Sequence, residues 1–377
     1  MQQQKLIPYY DLIIVGGGLV GLFAAAIMSS LKLKILLLEK LQLNYATKDL
    51  SIALNASSQK IFAEFGFWHD LKALITPINK VHISHKGSFA KLYLTKNDNC
   101  NLGYIINANI LKKHLISYLK TQNHIKIIEN VPQANIVENN ILTVAEKSYK
   151  YNLLAIADGY NSNLCQQIGL KAQYKTRQEY LLSNITTNKI NTGIAYQRFS
   201  KNCVIAMLAC NKNNYKTVIT ADNISYWQNC SEKDFIAKLQ QEFGYFAGAI
   251  KTASLTKKYI INDYCITNYK DNILVLGNAA FSISPVTAQG LNISIQSIYA
   301  CYQKMSILKQ KKQNFTSIAK FYHDFMLKKY QQTSFFINNI HATLKSQQIS
   351  HCKSLVLNFI NYNVLAKSYL IQKLTNI

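Results

Sequence analysis

The chain reads as an α/β protein in which a strand–turn–helix–strand unit is interleaved with an antiparallel sheet and followed by a helical tail. Three observations lead there. Residues 11–40 run strand, glycine turn, helix, strand. From about 170 to 265, apolar and aromatic residues recur with period two, as in TGIAYQRF, NCVIAMLAC and YKTVIT. After Ala300 the pattern is helical, with few glycines or prolines.

The opening stretch is DLIIVGGGLVGLFAAAIMSSLKLKILLLEK. Gly16, Gly18 and Gly21 fill a G-x-G-x-x-G spacing. The first glycine permits a sharp turn, the second lets a pyrophosphate approach the backbone, and the third lets helix and strand pack closely. Free N–H groups at the helix start then face phosphate oxygens. Glu39 closes the second strand, where an acid accepts hydrogen bonds from a ribose diol and repels a 2′-phosphate. The unit is therefore Rossmann-like and predicts dinucleotide binding. Residues 12–31 carry no charge and are long enough to cross a bilayer. Three consecutive glycines behind a strand-like run nevertheless fit a buried α/β core, and a basic leader with a clear cleavage site is lacking.

Further along, 51–65 places Ile52, Leu54, Ile61, Phe62 and Phe65 at helical spacing, with Gly66 as a stop. Residues 80–94 alternate around Lys86-Gly87, a hairpin signal. Residues 107–120 form an amphipathic helix through Ile110, Leu111, His114, Leu115 and Leu119. Short strands follow as IKII, ANIVE, ILTVAE and YNLLAIA, the last ending in Asp158-Gly159. A helix near 232–243 interrupts the period-two region. Another buried strand at 273–276 then leads through a loop into a long helix. The nucleotide domain is thus discontinuous in sequence.

Composition excludes several functions. The length of 377 residues allows one to three domains. The formal net charge of +24 favours anionic partners. Its lysines are dispersed, however, and Arg177 and Arg198 are the only arginines. Bidentate reading of phosphate or guanine is poorly supplied, which argues against nucleic acid. The eight cysteines contain no C-x-x-C and no matching histidine spacing, so free thiols in a reduced, cytoplasmic compartment are expected and no metal site is.

Three spaced motifs remain: VGGGLVGL at 15–22, ADGYNS at 157–162 and LGNAAFSISPVTAQGLN at 276–292. Together with SIALNASSQKIFAEFGFW and GYIINANILKKHL they resemble the FAD-dependent aromatic hydroxylases typified by p-hydroxybenzoate hydroxylase. The nearer resemblance is to the ubiquinone-biosynthesis branch. Asn278, where the family usually has aspartate, is similar to the 2-octaprenyl-6-methoxyphenol hydroxylases in particular. Phe281, Leu50 and Asn109 also depart from the family, which often has His at the first place and Arg at the other two.

The resemblance implies an FAD-binding domain of 1–75, 103–170 and 266–300, a substrate domain of 76–102 and 171–265, and a helical region of 301–377. It implies that the first motif holds the ADP half of FAD. Asp158 and Gly159 would then touch the cofactor region, and Gly277 and Asn278 would sit near pyrophosphate and ribitol. Pro285, Gln289, Gly290, Leu291 and Asn292 would border the isoalloxazine, and cofactor contact extends to Lys40, Asn109 and Val131. A helix opening at Gly290 points its N-terminal amides at the flavin's electron-rich edge.

By the same resemblance NAD(P)H reduces FAD, O2 then gives a flavin C4a-hydroperoxide, and a polyprenyl phenol is hydroxylated on its ring. The nicotinamide has no second fingerprint and so binds transiently. The sequence singles out no catalytic base, and of the two places open to Tyr196, Phe199 and Met207, the substrate side and the packed core, the core is the expectation. A greasy substrate implies contact with the inner membrane or a carrier, for which 353–373 mixes lysines with apolar residues. A helix packed on the protein itself accounts for that segment equally well. A prenyl-chain reductase and a non-catalytic scaffold are the rival readings.

Overall fold

A computed structural model describes residues 7–45, 50–95, 101–138, 140–285, 288–345 and 353–375. Tyr9–Val15 is the middle of a parallel sheet because Leu12, Ile13 and Ile14 are apolar toward both faces, and all three are buried. Ile35–Leu38 lies on one side of it and Lys147–Ile156 on the other. Ile125–Ile128 extends the first side, and Ile273–Val275 pairs with the end of Lys147–Ile156 on the second. Ile128, Leu38, Val15, Ile156 and Val275 are successive register partners, so five parallel strands finish in one row. A hairpin of Ala134–Val137 and Ile141–Val144 occupies the lower half of Lys147–Ile156 and leaves the upper half to Ile273–Val275.

Leu19–Ser29 is apolar nearly all round (LVGLFAAAIMS). Such a helix must be covered on every side. The sheet lies beneath it, while Ala108–Lys120 and Gly290–Gln310 pack against it from outside.

The helical spacing read over 51–65 is corrected at its start. Ser51–Asn55 is a strand, paired antiparallel with Gly103–Asn107 in a small sheet completed by Ile75–Ile78. The helix begins only at Ala56, because Asn55 caps it: Oδ1 accepts the Ser58 N–H at 2.8 Å. The far end is as expected. The Phe67 N–H donates to the Phe62 carbonyl at 2.9 Å and the Gly66 N–H to Ala63 at 3.0 Å, with Gly66 left-handed at φ +77°.

The second large sheet has eight strands in the order Phe281–Ser282, Ile250–Ile266, Ala172–Thr187, Asn214–Ala221, Cys203–Ala209, Ile194–Phe199, Lys80–His85 and Lys91–Thr95. The early hairpin joins at the far edge, with Lys80–His85 parallel to Ile194–Phe199. Strand alternation splits the faces. Cys203, Ile205 and Met207 meet Phe235, Leu239 and Phe243 of the helix Glu232–Phe243. Val204 and Ala206 face the other way, with Leu92, Leu94 and Phe199.

The tail comprises Ile318–Lys345, packed on Gly290–Gln310, then Lys353–Tyr362 and Val364–Thr375. The last two helices lie against Lys91–Thr95 and bring Ile360, Leu370 and Ile371 to the second face of the sheet. Of the apolar residues read in this segment, the side chains of Leu355, Leu357 and Val364 fall outside the described residues. Among the described residues no helix is long and apolar enough to cross a membrane.

Gly66→Ala isolates the cost of the left-handed stop, because no atom lies within 4 Å of the Cβ it adds. Denaturant unfolding is expected to show a loss of about 1 kcal/mol.

Candidate functional site

Each motif leaves the carboxyl end of its own strand, and the three strands are neighbours. The first follows Val15, the second Ile156 and the third Val275. Adjacent loops rising from one row must pass very close to one another. At Gly16, with φ +112°, an added Cβ would stand 2.3 Å from the Ala157 carbonyl oxygen. At Gly21 it would stand 2.0 Å from the Gly16 carbonyl oxygen. Gly277, at φ +57°, lies against Val20, 3.0 Å from where its Cβ would be. Gly18 differs, because nothing lies within 4 Å of its missing side chain. Backbone there borders open space, as a pyrophosphate requires.

Gly16, Gly18, Glu39, Lys40, Val131 and Asp158 line one cavity of about 240 Å3. Two backbone N–H groups orient the Glu39 carboxylate. Gly17 donates to Oε2, and Leu41 donates to Oε1 at 3.0 Å. A carboxylate has about four acceptor sites, so Glu39 retains capacity for a ribose diol. Pro132, Gln133 and Ala134 complete the wall, together with Asn161, Ser162 and Asn163. The wall at 132–134 went unread, since it enters through the fold and carries no motif. Asn161 and Ser162 lie inside ADGYNS, where Gly159 at φ +92° and Asn161 at φ +59° bend the loop.

Burial pushes the Asp158 carboxyl above its ordinary range, and the Ser162 hydroxyl, donating to Oδ2 at 2.9 Å, acts in the opposite direction. Asn278 is exposed, and its carbonyl accepts the Tyr264 hydroxyl.

A second cavity of about 110 Å3 lies where the small sheet, the antiparallel sheet and residues 288–292 meet. Gln289 and Asn292 line it, with Ala288 held at φ +51°. Asn292, 1% exposed, spends its whole amide on the protein. Oδ1 accepts from the Asn55 N–H at 2.9 Å and from the Ser58 hydroxyl at 2.7 Å. Nδ2 donates to the carbonyls of Ala53 and Ala288, both at 2.9 Å. The Asn292 side chain therefore positions the start of Gly290–Gln310 against the small sheet, with all four of its amide hydrogen bonds made to the protein.

Pro285 and Leu291 are half-buried and lie outside both linings, as does Asn109 in the first turn of Ala108–Lys120. Leu50 is 38% exposed, and its carbonyl accepts the Ala108 N–H at 2.8 Å.

The open backbone at Gly18 and the oriented Glu39 fit the adenosine diphosphate end of a dinucleotide. A family model described as FAD binding domain matches residues 9–315, and the chain belongs to that family. The ubiquinone hydroxylase UbiM of Neisseria meningitidis is 24% identical over 76% of this chain and 66% of its own length, a little under two thirds. The ubiquinone biosynthesis monooxygenase COQ6 of Dictyostelium discoideum is 24% identical over 62% of this chain and 56% of its own. Among solved structures, p-nitrophenol 4-monooxygenase PnpA of Pseudomonas putida shares the fold with a TM-score of 0.81 at 14% identity, covering 98% of this chain and 99% of its own. What the chain shares with these named hydroxylases and monooxygenases is the FAD-binding domain.

Two outcomes follow. Gly18→Ala is expected to leave the melting temperature of the FAD-free protein unchanged while weakening FAD binding about tenfold or more, read by flavin titration, because its Cβ enters only the ligand space. Asp158→Asn tests the raised carboxyl. A raised pKa means that ionisation costs stability as pH rises through the folded value. The variant should therefore melt above the parent at pH 8, and the difference should vanish near pH 3, where both forms are neutral.

Proposed function

We propose that the chain hydroxylates the aromatic ring of a polyprenyl phenol in ubiquinone biosynthesis, with FAD as cofactor, NAD(P)H as reductant and O2 as oxidant. The observation that carries this reading is the second cavity, a small apolar space beside the segment assigned to the flavin ring. The names of the relatives support the pathway.

In this reading residues 1–75, 103–170 and 266–300 hold FAD, 76–102 and 171–265 hold the phenol, and 301–377 is an added helical region. Reduced FAD supplies the activation of O2. The backbone at 16–18 faces the pyrophosphate, Glu39 takes the adenosine ribose, and Gly277 and Asn278 border the ribitol. The first amides of Gly290–Gln310 would face the pyrimidine edge of the bound flavin. Walls formed by Ala195, Ala206 and Leu208 exclude water around the reacting ring. The ring enters the cavity, and the hydrocarbon chain must leave it.

The tail suits that chain's source. No acidic residue follows Asp324, while Lys328, Lys329, Lys345, Lys353, Lys367 and Lys373 do. Phe359, Tyr362, Leu365 and Tyr369 are exposed on the last two helices. Apolar side chains among lysines favour peripheral contact with an anionic bilayer, here the cytoplasmic side of the inner membrane.

Deleting the gene and identifying the accumulated quinone precursor tests the reading. Accumulation of 2-polyprenyl-6-methoxyphenol is the expected result, and normal quinone content would refute it.

A further inference from the structure

The wall of the second cavity is mostly apolar: Ala53, Ile78, Leu102, Ala195, Ala206 and Leu208. Asn55 also lines it and is 5% exposed. Among the described residues, its Nδ2 is buried with no hydrogen-bond partner. The orientation of this amide is fixed by its other half. Oδ1 accepts the Ser58 N–H at 2.8 Å to cap the helix Ala56–Glu64. Rotating the amide would set NH2 against that N–H, so the unpaired group is the donor. The neighbouring Asn292 has both its oxygen and its nitrogen occupied. A dry, unpaired N–H is costly and is expected to find its partner in a ligand.

We propose that Asn55 Nδ2 donates a hydrogen bond to the ring oxygen of the aromatic substrate, and so selects a phenol over the same ring without its hydroxyl. The proposal rests on reading this cavity as the aromatic site. A neutral amide donor suits the purpose. It stabilises oxygen lone pairs, most of all those of a phenolate, the form in which the ring is richest in electrons. The flavin's own carbonyl oxygens would draw on other donors, the first N–H groups that a helix such as Gly290–Gln310 leaves without an intrahelical partner. A site built to pair a substrate hydroxyl strongly rejects the analogue that lacks it.

The test uses the full chain loaded with FAD and follows binding through the flavin absorbance spectrum. The probes are 2-allylphenol and allylbenzene, which differ only in the hydroxyl. Asn55→Asp keeps an oxygen for the helix cap and removes the donor, whereas Asn55→Ser keeps both an acceptor and a hydroxyl donor. The parent should prefer the phenol by about tenfold or more. Asn55→Asp should melt like the parent, keep its FAD and lose the preference, and Asn55→Ser should retain part of it. An unchanged preference in Asn55→Asp overturns the proposal, as does a loss of FAD with the preference intact, which would assign the donor to the cofactor. A parent that binds both rings equally refutes the role of Asn55 alone. A parent that binds neither refutes the reading of the cavity, and the proposal with it.

Discussion

Five parallel strands ending level with one another are the constraint on which the remaining structure depends. Ile128, Leu38, Val15, Ile156 and Val275 hold one register across the sheet. With strands about 4.8 Å apart, the column of Glu39 and that of Gly277 are separated by roughly 14 Å, a span over which an extended cofactor can be laid. Each loop begins at the same height, so crowding follows. Gly16 pressed on Ala157, Gly21 pressed on Gly16 and Gly277 pressed on Val20 are three results of the same row. The glycines are required because neighbouring strands release their chains side by side.

The small sheet holding Ser51–Asn55 meets this unit through a few contacts with large consequences. Asn292 ties the opening of Gly290–Gln310 to Ala53, Asn55 and Ser58. Ala195 and Ala206 line the intervening space, while Met207, one residue along, points to the other face of the sheet. At positions 195 and 206 the small alanine side chains leave volume that larger ones would fill. The sheet's alternation thus gives one face packed on Glu232–Phe243 and another that is packed in part and borders the cavity in part.

Much of this was legible in the sequence where the signal is local. A glycine turn between apolar runs, an Asp-Gly after a buried strand and a capped helix each need only a few adjacent residues. Gly16, Gly18, Glu39, Lys40, Val131 and Asp158 do share one cavity. The strand Ser51–Asn55 escaped because its partner is Gly103–Asn107, and helical spacing over so few residues is weak evidence. The significance of Asn55 escaped for a related reason. It depends on residue 292 and on two sheets meeting, and neither leaves a mark near position 55. Tyr196 does reach the lining of the second cavity, while its hydroxyl donates to the Phe246 carbonyl at 3.3 Å among residues of the helix-covered face.

The Asn292 clamp also bears on how the protein comes into being. Its bond to the Asn55 N–H joins residues 237 apart in the chain, and Ile273–Val275 completes the row almost as late. On a ribosome, the glycine loop exists long before its third wall is synthesised. Folding of such long-range, parallel pairings is slow and leaves apolar strand edges exposed in the meantime. A cofactor that binds only the closed cradle adds stability in proportion to the logarithm of its concentration. Flavin supply during growth thereby becomes a determinant of how much of this chain persists as folded protein.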